Sequence, residues 1–388
     1  MKIEVLFVID SLNCGGAEKS LVSLLPLLDK NKYDIDLWIR NRGGVFESLV
    51  PNNVNIIKEP EYSFIEKLSL ALGKACYSFV FRFNSFFNKK EHHAETLWKC
   101  CGWAVKVPQK KYDIAVAYQQ GFPTYLVADK VDSVKKLAWI NCNIINAGYN
   151  LEFNLQFYDK LDIICPVSKE LEKILDVAYP NYLKKYRCIY DILNPELIKT
   201  QAAESINEPE YNDKLCILTV GRLAPPKNHL LAVECARTLR EKNLDFCWYF
   251  VGEGGQRSAI EALIEKYGLE NNVKLMGLRT NPYPYMKNCD IYVQTSSFEG
   301  FGLTIAEAKI LGKQIVSTNF DVVHDQLQDN INGLIADMNP ESLADAIMKL
   351  ATDSELRVRI VNAVESEVSD KHLTEVKKVE KIFDELLS

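Results

Sequence analysis

Short strand-like runs alternate with helical patterns along almost the whole chain, and that alternation admits few folds. In the first half the runs are "IEVLFVI", "YDIDLWI", "VNIIK", "YDIAVAY", "KKLAWIN" and "LDIICPV". In the second half they are "KLCILTV", "FCWYFVG", "NVKLMG", "DIYVQT" and "QIVST". Helical stretches such as "AEKSLVSLLPLLDK" and "HLLAVECARTLREK" fall between them. Repetition of this kind calls for parallel sheets covered by helices. Two successive doubly wound α/β units are the simplest account of 388 residues. Residues 194–213, polar, acidic and carrying two prolines, read as the linker between a domain over 1–193 and another over 214–370. A final amphipathic helix over 371–388 is expected to pack back on the first domain. Residues 62–107 break the rhythm with aromatic, basic and leucine-rich pieces, and read as a helical insertion.

Composition narrows the function. With 46 Lys and Arg against 52 Asp and Glu, the net charge of −6 argues against a nucleic-acid binder. Eleven scattered cysteines show no C-x-x-C pair, and the N-terminus "MKIEVLFVID" reads as a first strand, not a secretory leader. A cytoplasmic protein with reduced thiols is expected.

Open α/β sheets bind ligands at the carboxyl ends of their strands, so the loops there carry the functional argument. Gly15 and Gly16 stand between a strand and a helix, where glycine lets backbone approach a ligand and leaves helix-start amides exposed. In "VGRLAPPKNHLLAV", Arg222 and Lys227 follow a strand end and precede a helix. A cation at a helix start opposes the macrodipole unless an anion sits between them, and a diphosphate would resolve the conflict. Solvated surface charge is the plainer alternative. Gly252, Gly254 and Gly255 lack the Walker spacing, so they read as a tight turn beside the ligand site, not a P-loop.

In "FEGFGLTIAEA", Glu299 precedes a glycine turn and Glu307 lies on the helix after it. Helical side chains lean toward the N-terminus, which aims Glu307 back at that turn, so both carboxylates can face one ligand. Surface acids at a helix start are the alternative reading. Asp34 and Asp36 form a D-x-D in a strand and read as a solvated strand face, not as metal ligands. The His92–His93 pair reads as surface histidine.

Taken in order, "GGAE", "VGRLAPPKN", "VGEGGQR", "VKLMGLR" and "CDIYVQTSSFEGFGLTIAEA" resemble family 4 of the retaining nucleotide-sugar glycosyltransferases, densely over residues 214–340. The resemblance implies the GT-B architecture, two Rossmann-like domains facing across a cleft. It implies a metal-independent hexosyl transfer from a nucleotide-diphosphate sugar, with UDP the favoured carrier and no separate cofactor. It places Glu299 near the transferred sugar, Glu307 on the ribose, and Arg222 and Lys227 on the diphosphate. The amides of Phe301, Gly302 and Leu303 would hold sugar hydroxyls and a phosphate, while Gly15 and Gly16 would close on the donor from the other domain. Two positions depart from the family pattern. Asn141 stands where many relatives have a histidine, and Gln120 where many have an acid. A general-base histidine is therefore absent there, although an amide at Asn141 can still hold a sugar hydroxyl.

The resulting expectation is a transferase for a glycan or lipid-linked acceptor, in the making of a surface polysaccharide or glycolipid. The first domain would handle the acceptor. Phe79, Phe81, Arg82, Phe83, Phe86, Phe87, Lys89 and Lys90 suggest peripheral contact with an anionic membrane. Two other readings share the architecture: a nucleotide-sugar 2-epimerase, and a catalytically silent sugar-nucleotide-binding subunit.

Overall fold

A computed structural model describes residues 2–13, 15–58, 61–86, 91–107, 109–206, 214–367 and 371–388. The chain divides into two compact units, Met1–Leu193 with His372–Ser388, and Asn194–Lys371. Each is built on a six-stranded, all-parallel sheet.

In the first unit the strands are β1 (Ile3–Ser11), β2 (Tyr33–Asn41), β3 (Val54–Ile56), β4 (Tyr112–Ala117), β5 (Ser133–Ile140) and β6 (Ile163–Pro166). They lie in the order β3-β2-β1-β4-β5-β6. The second unit holds β7 (Leu215–Val220), β8 (Phe246–Val251), β9 (Val273–Gly277), β10 (Ile291–Gln294), β11 (Gln314–Thr318) and β12 (Leu334–Ala336), in the order β12-β11-β10-β7-β8-β9. These two sheets share one winding. In each, the chain runs outward through three strands, returns to the centre, and runs outward the other way. The reversal falls between β1 and β4 in one sheet and between β7 and β10 in the other. Two Rossmann-like units of this kind make the GT-B fold, as the sequence implies.

Sequence explains the strands well. Helices cover both faces of a parallel sheet, so central strands are apolar throughout instead of alternating. All six residues of β8 are buried. Trp248 at its centre is fully buried and gives its indole N–H to the Thr219 hydroxyl at 3.0 Å. β12, Leu334–Ala336, is a strand that the sequence reading did not include.

Three expectations change. Residues 195–202 are no part of a free linker: Pro195–Ala202 is a helix of the second unit, capped by Asn194, whose Oδ1 accepts from the Leu197 N–H at 3.1 Å. Residues 207–213 of the proposed linker lie outside the described residues. Asp36 is not solvated: it is buried, and accepts from the Tyr112 hydroxyl at 2.8 Å, Asn55 Nδ2 at 2.7 Å and Lys110 Nζ at 3.0 Å. Three donors meet its charge, while Asp34 beside it is exposed. His92 is likewise structural. It caps the helix His93–Cys101, its Nδ1 accepting from the Ala94 N–H, and it stacks on Tyr149 with ring centroids 3.7 Å apart.

The C-terminal helix Lys371–Leu387 joins the first unit. Phe383 meets Tyr33 edge-on, Asp384 pairs with Lys32 at 2.6 Å, and Glu375 accepts from the Tyr190 N–H at 3.0 Å.

Candidate active site

The second unit's candidates gather where its winding reverses. Arg222 and Lys227 follow β7, and Glu299, Phe301, Gly302, Leu303 and Glu307 follow β10, the strand paired with β7. This is the position at which an open parallel sheet leaves a crevice for a ligand.

Two loops are stapled together there. The Ser297 N–H donates to the Pro226 carbonyl at 2.8 Å, and the Thr295 hydroxyl donates to the Lys227 carbonyl at 2.8 Å. Across the staple, the Lys227 ammonium pairs with Oε1 of Glu299. That oxygen also accepts from Ser296 Oγ at 2.6 Å and from Gln294 Nε2 at 2.8 Å. Gln294 is held in turn, its Oε1 accepting from the Tyr292 hydroxyl at 2.7 Å and Thr304 Oγ1 at 3.0 Å. Glu299 is thus fixed in one orientation by donors on three sides. Arg222 is exposed, with no ion pair to its guanidinium among the described residues.

The glycine turn "VGEGGQR" buttresses this loop. The Glu253 carbonyl accepts from the Leu223 N–H, and the Leu223 carbonyl from the Gln256 N–H, each at 3.0 Å. A Cβ on Gly254 would overlap the Leu223 carbonyl, so only glycine admits this approach.

Gly302 has a φ of 87° and caps the helix Leu303–Ile310. A left-handed residue at that point requires glycine, and it turns the chain so that helix-start amides lie at the mouth of the loop. Glu307 sits within the helix and is fully buried. Its Oε1 accepts from the Tyr283 hydroxyl at 2.9 Å. Burial first, and then the Glu307 charge, hold that tyrosine protonated well above its ordinary range.

In the first unit, Gly15 caps the helix Gly16–Leu24 after β1, and Gln120 and Asn141 follow β4 and β5. Gln120 accepts from the Asn141 N–H at 2.8 Å and donates to Cys142 Sγ at 3.2 Å. Both polar atoms of the Asn141 side chain are buried without a hydrogen-bond partner among the described residues. Asp10 pairs with Arg40 at 3.2 Å, and burial pushes its carboxyl above the usual range despite that cation.

Sequence reasoning missed Gln294, Ser296 and Tyr283, which orient the two glutamates, and His229. His229 is fully buried two residues after Lys227, with no hydrogen-bond partner for either ring nitrogen among the described residues. Burial first, and then Lys227, lowers its pKa to about 4. Its signal was its place immediately after "PPKN".

Comparisons with known proteins support a glycosyltransferase of the GT-B fold. Residues 201–367 match the family model of glycosyl transferases group 1. Over 359 residues, 89% of this chain and 90% of the relative, it is 26% identical to an N-acetylgalactosamine-N,N'-diacetylbacillosaminyl-diphospho-undecaprenol 4-alpha-N-acetylgalactosaminyltransferase of Campylobacter jejuni. It is 31% identical over 160 residues, 40% of this chain and 32% of the relative, to a poly(ribitol-phosphate) alpha-N-acetylglucosaminyltransferase of Staphylococcus aureus. Among solved structures, Anabaena HepE in complex with UDP-glucose superposes with a TM-score of 0.75 at 16% identity, over 99% of this chain and 100% of that one.

Proposed function

We propose that this protein is a retaining glycosyltransferase of family 4, transferring a sugar from a UDP-sugar to a glycan or lipid-linked acceptor in polysaccharide biosynthesis. The reading rests on one observation above the others: Lys227 and Glu299 are held together between the loops after β7 and β10. Breaking the sugar–phosphate bond leaves negative charge on a diphosphate, and preorganised cations and helix-start amides are what stabilise it. Lys227, Arg222 and the turn at Gly302 supply both, so transfer needs no metal ion. The acceptor oxygen bonds to the anomeric carbon as the bond to the leaving phosphate oxygen breaks, and that oxygen takes the acceptor's proton. Glu299 steadies the sugar, Glu307 accepts from the ribose hydroxyls, and Asn141 holds a sugar hydroxyl. Gly15 and Gly16 lie on the first unit, which takes the acceptor.

The choice of UDP follows the relatives' chemistry, and a lipid-diphosphate acceptor follows the Campylobacter jejuni enzyme's name. Such an acceptor would place the protein on the cytoplasmic face of a membrane. The test is a panel of UDP-sugars offered with a short-chain lipid-diphosphate saccharide, with and without a chelator, the product's anomeric configuration read by NMR. Retained configuration and full activity in chelator are expected. An inverted product refutes retention. Loss of activity that magnesium restores refutes metal independence. Conversion of the UDP-sugar into its epimer without an acceptor indicates the 2-epimerase, and binding without turnover the silent subunit.

A further inference from the structure

The helix Phe64–Phe86 of the insertion is 23 residues long, yet Gly73 is the one buried residue among those of it whose burial is described. Ile65, Leu72 and Phe79 are 74%, 61% and 71% exposed, so these side chains are not core of the insertion. Phe81, Arg82 and Phe83 are exposed as well. Phe87, Lys89 and Lys90 lie outside the described residues, and nothing is drawn from the Phe86 side chain. No helix among the described residues is long and apolar enough to cross a membrane.

A narrow strip facing the helix His93–Cys101 holds this helix in place. A Cβ on Gly73 would stand 2.8 Å from the Cys100 carbonyl oxygen, so glycine lets the two backbones meet there. Near the helix start Glu66 pairs with Lys106 at 2.7 Å, and near its end Asn84 Nδ2 donates to Glu91 at 3.0 Å. An element that buries so little apolar surface belongs to the low end of local stability.

Cys76 follows Gly73 by three residues, so the helical repeat brings it beside the same strip. Its Sγ lies 3.6 Å from Cys100 Sγ, a contact between two free thiols. Closing it into a disulfide needs a further approach of about 1.5 Å. The two cysteines have unlike surroundings. Cys76 is exposed, while Cys100 is partly buried. Burial first, and then Cys76, push the Cys100 thiol up to about 11. The neighbouring Cys101 is buried. An oxidant arriving from solvent therefore meets Cys76 first.

We propose that Cys76 and Cys100 form a redox site, which takes a hydroperoxide and closes into a disulfide that clamps the helix Phe64–Phe86 onto the helix His93–Cys101. The Cys76 sulfur attacks one peroxide oxygen, and an S–O bond forms as the O–O bond breaks. The other oxygen leaves as an alcohol, or as water from hydrogen peroxide, with the thiol's proton. The Cys100 sulfur then attacks the Cys76 sulfur, and the S–S bond forms as the S–O bond breaks. The hydroxyl leaves as water with the Cys100 proton. Two thiols lose two electrons between them, and the peroxide gains both. A dithiol reopens the clamp by exchange. The covalent tie falls where the helix packs least.

The test takes the reduced full chain, treats it with hydrogen peroxide, removes the excess with catalase, alkylates it and digests it with trypsin. Peptides 75–82 and 100–106 should appear joined, and should separate after dithiothreitol. The joined species should vanish in Cys76→Ser and in Cys100→Ser and persist in Cys101→Ser. Hydrogen exchange over residues 64–86 should slow by about fivefold or more when wild type is oxidised, and stay unchanged in Cys76→Ser. No sugar donor enters this experiment, so its result is separate from the transferase reading. Absence of the joined peptides overturns the proposal, as does a Cys76 sulfinic acid beside an unreacted Cys100. A link that survives Cys100→Ser, or a covalent dimer through Cys76, overturns it equally. A link that leaves exchange unchanged refutes the clamp.

Discussion

Lys227 and Glu299 stand 72 residues apart in sequence and form an ion pair, the ammonium resting on Oε1 of the carboxylate. Sequence reasoning gave the lysine to a phosphate and the glutamate to a sugar. The pair reconciles those roles, because without a donor each charge has the other as its partner. A bound diphosphate would then compete with Glu299 for Lys227, while Gln294 and Ser296 keep Glu299 in place.

Lys227→Ala removes the cation proposed to meet the leaving diphosphate. Turnover should fall by about 10²–10³-fold, the scale for loss of one preorganised stabiliser of developing charge. Circular dichroism should match wild type, because the ammonium is a quarter exposed and its backbone loop is stapled independently through Pro226 and Thr295. Full activity in the variant would remove Lys227 from the site.

Glu299→Ala should act differently. It frees Lys227 for the diphosphate, so UDP affinity by calorimetry should hold or rise while turnover falls. A large loss of UDP affinity would instead place Glu299 on the nucleotide.

Glu307→Gln replaces a charged acceptor with a neutral amide that accepts at one atom only, and nucleotide binding should weaken. Tyr283→Phe tests the same site from behind. It removes the donor that orients Glu307 at 2.9 Å, and should lower UDP affinity by about tenfold or less, in line with about 0.5–1.5 kcal/mol for one hydrogen bond. Unchanged affinity in Glu307→Gln would exclude the ribose assignment.

What the sequence made legible follows from the range of the interactions. "FCWYFV" declares a buried strand within six residues, and Gly302 declares its turn because its left-handed φ excludes side chains. Asn194, Pro195 and Glu196 spelled a helix start, cap, first-turn proline and acid together, but their polarity suggested a linker. Asp36 looked solvated because its partners Tyr112, Lys110 and Asn55 come from elsewhere in the chain. Tyr283 was illegible for the same reason: 24 residues separate it from Glu307, and only the fold brings them together.

Acid should expose His229. Its folded pKa of about 4 lies below the unfolded value near 6.5, so the unfolded chain binds the extra proton between them. The stability tied to the neutral ring is therefore complete above about pH 6.5 and is lost as pH falls through about 4, at most about 3 kcal/mol. Denaturant unfolding at several pH values should show a drop over this window that His229→Leu lacks. Parallel pH profiles for the two proteins would refute the assignment.

Asn141 offers the sharpest separation of function from stability. Its Oδ1 and Nδ2 are buried and have no hydrogen-bond partner among the described residues, while its backbone N–H is held by Gln120. An unpaired buried amide costs about 1–3 kcal/mol in desolvation, so a side chain without polar atoms should not weaken the fold. Asn141→Ala is thus expected to unfold at the same temperature as wild type or a higher one. If the amide is kept for a sugar hydroxyl, the same variant should lose turnover by about tenfold or more, since that hydroxyl then goes unmet. UDP affinity should stay unchanged, because UDP carries no transferred sugar. Thermal unfolding, calorimetry with UDP and steady-state kinetics with the UDP-sugar read the three effects separately. A destabilised variant would point to a structural partner for the side chain, and unimpaired turnover would exclude Asn141 from the sugar site.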